Sequence, residues 1–392
     1  MQVRCAQFHG GIEMYISCRA GITSNRSSIS QQRVARATAV IAGLFGILFF
    51  SNAAAGQGCV AAHSPQPLVA GLTTNVMDEA GHSGRGSRLE GMLHNLSVTI
   101  GFREYNSFRH YVGTVEQLQR AARHNQVQNH VDLMDLQINY RLSPRWSMMF
   151  DLPGLTATRQ QQGNPNIFRS GGIVDITAGV QACVFRPPTE SHANIAFSVQ
   201  LKMPTGINDA HGTTILANGT RQIRPFDESI QPGDHAWGFS LGTQAYRQIW
   251  FQTTAYFTGS WLFNPEDTTG VRTFRSAPHE DVISSTDMYL WRGGFSHAVP
   301  KVRGLALSLG GRMEGIPVRD AFGDSNGFRR PGYVISLEPG LVYMYKQHTF
   351  NVSGPWALER NRTISTSDLL NGAHGDAAFS DYTIIASYTK RF

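Results

Sequence analysis

Ten charged residues are set into stretches of alternating apolar and small residues: Arg103, Asp135, Arg141, Asp151, Asp175, Lys202, Arg292, Arg312, Glu314 and Glu338. Carboxylates and cations mixed in this way could do either of two things. They could knit a polar network that fills a narrow cavity, or they could line a passage and sort solutes by charge. Catalysis has weaker support. Asp209-Ala210-His211, with Asp234-His235 downstream, has an acid-x-His spacing that could activate water. No convincing Ser/His/Asn set accompanies it. His124, His211, His235, His279 and His374 lack the local spacing of a metal site. They read as solvated side chains, and neither a metal nor a cofactor is expected.

The elements that carry the ten charges alternate with period two. Val174, Ile176, Ala178, Val180, Ala182 and Val184 are apolar at every second position, and so are Ile195, Phe197, Val199, Leu201 and Met203. A strand gathers such residues on one face, whereas a helix would scatter them. Reading on predicts strands near 95–104, 130–142, 145–158, 172–186, 192–204, 235–247, 249–263, 284–299, 304–316, 331–346, 348–360 and 379–392. The connections alternate in length. Short turns include Ser143-Pro144-Arg145, 186–191, Arg247-Gln248, Pro300–Arg303 and Lys346-Gln347. Long loops cover 105–129, 159–171, 205–234, 264–283, 317–330 and 361–378. This is the pattern of an all-β, transmembrane, antiparallel up-and-down β-barrel of about 12 strands. Closure follows from physics, because an open sheet edge in lipid would strand its backbone N–H and C=O groups. On this parity the ten charges point inward, away from hydrocarbon. Tyr140, Trp146, Trp237, Trp261, Tyr343, Tyr345 and Phe350 fall near strand ends, where interfacial girdles belong.

Composition agrees. Charged residues make up only 16%, glycine reaches 40 residues, and mean hydropathy is −0.23. That is too polar for a bundle of membrane helices. The net charge is +6, but five arginines and one glutamate place +4 of it in residues 1–55. The remainder has no basic run, so no nucleic-acid partner is expected. Arg33 and Arg36 precede the apolar stretch Ala37–Phe50, and Ala53-x-Ala55 follows. This predicts a secretory signal peptide over 1–55, with Met14 an alternative start. Residues 56–90 are rich in Gly, Ser and Pro and predict an irregular periplasmic segment; 91–392 form the barrel. Cys59 and Cys183 are the cysteines left after cleavage. A disulfide between them would pin the 56–90 segment at the barrel mouth.

The final strand places Tyr382, Ile384, Ala386, Tyr388 and Phe392 at even spacing. A terminal aromatic closing an alternating strand resembles the signal by which barrel-assembly machinery recognises its clients. Lys390 departs from the apolar residue usual there. Arg109–Gly113 with Val115-Glu116-Gln117, Leu142–Trp146, Asp151-Leu152-Pro153 and Lys202–Gly206, together with that strand, resemble outer-membrane channels associated with meta-cleavage phenol-degradation pathways. The resemblance covers most of 90–392 and implies a transport role, with no functional residue set attached. The expectation is therefore a channel in the bacterial outer membrane. It would pass small solutes, hydrophobic or aromatic ones on the resemblance, with outer-membrane lipid as its partner and no enzymatic activity. A surface barrel that works through its loops is the first alternative. A barrel hydrolase acting on peptide or lipid is the second.

Overall fold

The computed structural model describes residues 94–185, 192–273 and 275–392. The leader, the 56–90 segment, Cys59 and the 186–191 turn lie outside the described residues, and so do the expectations placed there.

Twelve antiparallel strands form the barrel: β1 (Leu96–Ser107), β2 (Val127–Arg141), β3 (Trp146–Gln161), β4 (Ile167–Ile173 and Ile176–Cys183), β5 (Ala193–Met203), β6 (Gly238–Trp250), β7 (Thr253–Phe263), β8 (Met288–Ala298), β9 (Leu305–Ile316), β10 (Gly332–Tyr345), β11 (His348–Ser353 and Trp356–Asn361) and β12 (Thr383–Arg391). Each pairs with the next in sequence. The ring closes where β12 meets β1, from Ser97 opposite Arg391 to Tyr105 opposite Thr383. All twelve predicted strands are present, but the long loop expected over 159–171 shrinks to residues 162–166, because β3 runs on to Gln161 and β4 begins at Ile167.

The barrel is inside out relative to a soluble protein. Along β5, Asn194, Ala196, Gln200 and Lys202 are buried, while Ile195, Phe197, Val199 and Leu201 are exposed. Along β9 the exposed positions are Leu307 and Leu309, and the buried ones are Arg312 and Glu314. Exposed apolar side chains around buried polar ones suit a hydrocarbon solvent. Aromatic clusters mark both rims. Trp261 stacks on Tyr289 at 5.3 Å, and Phe239 on Phe263 at 4.9 Å, near the long loops. Phe350 and His348 pack on Tyr388 near the short turns.

This surface carries a direct expectation. Met134 stands on the outer face midway along β2 and is 59% exposed. Met134→Lys should cost about 2–4 kcal/mol in urea unfolding from lipid vesicles. No loss would mean that the outer face meets water.

Two strands are broken, each for a local reason. The sequence pattern ran unbroken through 172–186, with Val174 on the lipid side. Instead the chain kinks at Val174-Asp175, and Val174 turns inward to join a buried apolar cluster. The hydroxyl of Thr205 accepts from the Ile176 N–H at 2.9 Å, replacing a ladder bond. In β11 the break falls at Gly354-Pro355, where proline has no N–H to offer the ladder.

Candidate functional site

Two clusters of buried side chains occupy the interior. The first is apolar and lies at the long-loop end. Tyr105, Val131, Leu133, Leu155 and Ala157 from β1 to β3, with Val174, form one half of a cluster. Phe226 and Ile230, from the long loop between β5 and β6, form the other half. This part of the loop folds inward, while the hairpin of His211–Ile215 and Arg221–Pro225 before it stays largely exposed. Burying two such side chains contributes about 1.5–3 kcal/mol each.

Its polar groups explain why it stays there. Asp227 caps a short turn of 3-10 helix, Glu228–Ile230, by accepting from the Ser229 N–H at 3.1 Å and its hydroxyl at 2.8 Å. The same carboxylate receives two bonds from Arg330, at 2.8 and 2.5 Å, and lies 3.1 Å from the Arg159 guanidinium. Arg159 also reaches Asn129 at 2.7 Å and Ser229 at 3.1 Å. Burial alone would push the Asp227 carboxyl up, but Arg159 and Arg330 override it and hold it well below the usual carboxylate range. Gln231 ties the base of the turn back to the backbone of Ala210 and Phe226. Where the loop returns, Gly206 and Gly233 lie backbone to backbone, so a Cβ on either would come within 2.8 Å of the other's Cα. The plug is thus a loop latched to the wall by Asp227.

The second cluster is ionic. Arg103 of β1 donates twice to Glu314 of β9, at 2.9 and 3.0 Å. Arg312 donates to the same carboxylate at 2.7 Å. Arg292 meets Glu338 at 3.0 Å, and Ser353 adds a bond to Glu338 at 2.9 Å. Three strands separate β1 from β9 around the ring, so the Arg103–Glu314 pair is a chord across the interior.

The ten charges predicted from parity therefore divide into groups. Arg103, Arg292, Arg312, Glu314 and Glu338 assemble in the ionic belt. Asp135 and Asp151 are buried side by side on β2 and β3. Lys202 pairs with Asp234 and lies 3.8 Å from Asp175. Asp175 sits in the strand break, where it accepts from the N–H groups of Gly206, at 2.9 Å, and Asp234, at 3.2 Å. It anchors the loop. Arg141 is half-buried at the short-turn end, and Cys183 is half-buried there too. In β12, Ile384, Ala386 and Tyr388 alternate with the buried Thr383, Ile385 and Thr389, and Tyr382 directly precedes the strand.

Features the sequence did not reveal also lie here. A cleft partly open to solvent adjoins the latch; Glu228, Asp234, Thr286, Met288, Ile316 and Arg330 line it. Burial pushes the Glu228 carboxyl up, with Arg330 opposing. Glu104, His130 and Asp132 meet on the outer face of β1 and β2, their ligand atoms within 4.8 Å of one another. Strand pairing brings Glu104 of β1 beside His130 and Asp132 of β2.

The catalytic spacings do not assemble. The His211 ring bonds the backbone carbonyl of Asp209 at 2.8 Å and leaves its carboxylate aside. Gly323-Asp324-Ser325-Asn326-Gly327 matches a nucleophile-elbow pattern, but it lies in a loop and not at a strand-to-helix turn. The Ser325 hydroxyl accepts from the Asp320 N–H and donates to the Asp320 carboxylate.

No protein-family model matches the chain, and no curated protein matches it. Solved structures are similar in outline. An outer membrane channel from Pseudomonas putida F1 is 10% identical with a TM-score of 0.49, covering 76% of this chain and 95% of that one. The β domain of the Bordetella autotransporter BrkA is 12% identical with a TM-score of 0.42, covering 76% and 100%. The P. putida toluene transporter TodX is 9% identical with a TM-score of 0.41, covering 76% and 90%. Identities and superpositions this low carry no function from those proteins to this chain.

Proposed function

We propose that the protein is a gated channel of the bacterial outer membrane, passing small solutes down their gradients by passive or facilitated diffusion. The observation that carries this reading is the loop folded into the interior. It is latched by a few ion pairs and held inside a wall that is already complete without it. Displacing it exposes a vestibule with both apolar and hydrogen-bonding walls, which suits small solutes with an apolar or aromatic body. The ten interior charges then line the route, and the ionic belt sets its narrowest point. Outer-membrane lipid is the surrounding partner, and the even-spaced outward residues ending at Phe392 serve as the assembly signal. No step of this function calls for a cofactor or a catalytic residue. The unassembled Asp209–His211 pair gives the hydrolase alternative no support.

Proteoliposome swelling tests the reading. Vesicles with the wild-type protein should swell slowly in small solutes, and vesicles with an unlatched loop much faster. Vesicles that stay sealed in both cases would exclude a channel and leave loop-based surface binding as the role to pursue.

A further inference from the structure

On the inner wall just past the apolar plug, three side chains are unlike the rest of the interior. Asp151 of β3 stands opposite Gln137 of β2, and Asp135 is the next inward residue along β2. All are more than nine-tenths buried: Asp135 is 8% exposed, Asp151 5% and Gln137 7%. The Oδ1 of Asp151 and the Nε2 of Gln137 are enclosed without a hydrogen-bond partner among the described residues. Other buried carboxylates of the interior are answered: Glu314 by Arg103 and Arg312, Glu338 by Arg292, Asp234 by Lys202. Arg103 lies one diagonal step from Asp135, since Gly101 is opposite Asp135. Both bonds from its Nη2, however, go to Glu314.

Two adjacent buried carboxylates without a bonded counter-charge are costly in a folded protein. Buried groups kept at such a cost, with the Asp151 and Gln137 atoms beside them unpartnered, point to a ligand that supplies the missing charge. We propose that Asp135, Asp151 and Gln137 form a cation-binding station within the lumen. The two carboxylates supply acceptor oxygens. The side-chain amide, whose oxygen and nitrogen are interchangeable by rotation, adds a third. Hard cations prefer all-oxygen donor sets, and an ammonium group can donate its N–H bonds to the same oxygens. The ligand is therefore a small cation or the ammonium group of a solute. The station rests on the channel reading above and gives that channel a preference for cations.

The test uses the full chain in planar bilayers and compares wild type with the double variant Asp135→Asn, Asp151→Asn. Under a potassium chloride gradient the wild-type pore should favour potassium, and the variant should lower the cation-to-anion permeability ratio about fivefold. Replacing potassium with methylammonium separates the two sources. A higher ratio than potassium gives identifies an ammonium site, and a lower one identifies a metal-ion site. Open pores with the same ratio in both proteins overturn the station and leave the channel intact. Absence of pores in wild type and in the unlatched Asp227→Asn variant overturns the channel. The station is then decided by calorimetric titration of the detergent-solubilised protein with calcium: one fewer site in the double variant supports it, and equal stoichiometry removes it. The asparagine variant should melt no lower than wild type, because it relieves uncompensated charge.

Discussion

Asp227→Asn should open the barrel. The substitution keeps the side chain's shape but removes the charge shared by the half-buried Arg159 and the buried Arg330, leaving Arg330 only Glu228 at 3.2 Å. Removing one partner of a buried ion pair costs about 3–5 kcal/mol. That penalty falls on the latched state, since the free loop lets both guanidiniums meet water. A shift of about 3 kcal/mol changes a closed-to-open ratio roughly a hundredfold. Single-channel recording should show brief, rare openings in wild type and sustained ones in the variant. Equal open probabilities, with unchanged circular dichroism, would rule out this loop as the gate. The latch also has a definite pH signature. Because the Asp227 carboxyl is held below its ordinary value in the fold, its contribution is present above the unfolded pKa of about 4 and is lost as pH falls through the depressed folded value. Closure should hold from neutral pH down to about 4 and fail only in stronger acid. Glu228 acts in the opposite sense. Its carboxyl is pushed up by burial, so it is protonated first on acidification. That removes a like charge beside Asp227 and tightens the latch before acid breaks it.

The second large effect belongs to the ionic belt. Glu314→Gln deprives both Arg103 and Arg312 of their shared carboxylate. We expect a loss of about 3–5 kcal/mol in unfolding free energy. The double replacement Arg103→Ala, Glu314→Ala should be less destabilising than the two single effects added, because Arg103 and Glu314 no longer strand one another, although Arg312 still loses its carboxylate. The same double variant removes a chord across the lumen, so its unitary conductance should exceed that of wild type once the loop is unlatched. Strict additivity of the two single replacements would mean that Arg103 and Glu314 do not act as a pair.

The wall was legible because its signal is local and repeated. Ile195, Phe197, Val199 and Leu201 declare a lipid face within eight residues, and every strand repeats the pattern. The inward charges were legible for the same reason, since hydrocarbon penalises charge on the other side, and Glu104 and Asp132 stand outward only towards the long-loop ends of their strands. What fills the wall was not. Phe226, Asp227 and Ile230 lie in a long loop without periodicity, and the latch needs Arg330, some hundred positions away. An apolar pair bracketing an Asp-x-Ser cap was the one local hint. The inward turn of Val174 was hidden because its spacing continues the strand on which it does not sit. Its neighbour Asp175 anchors the loop for the same reason.

The seam between β1 and β12 has a consequence for how the molecule is made. Thr99 and Thr389 share a 2.8 Å hydrogen bond across 290 positions. During synthesis the first strand thus waits for a partner until nearly the whole barrel sequence has emerged. Throughout that wait it presents a raw edge able to recruit any extended peptide nearby. A chain stopped before residue 383 would keep that edge permanently and should aggregate or be degraded.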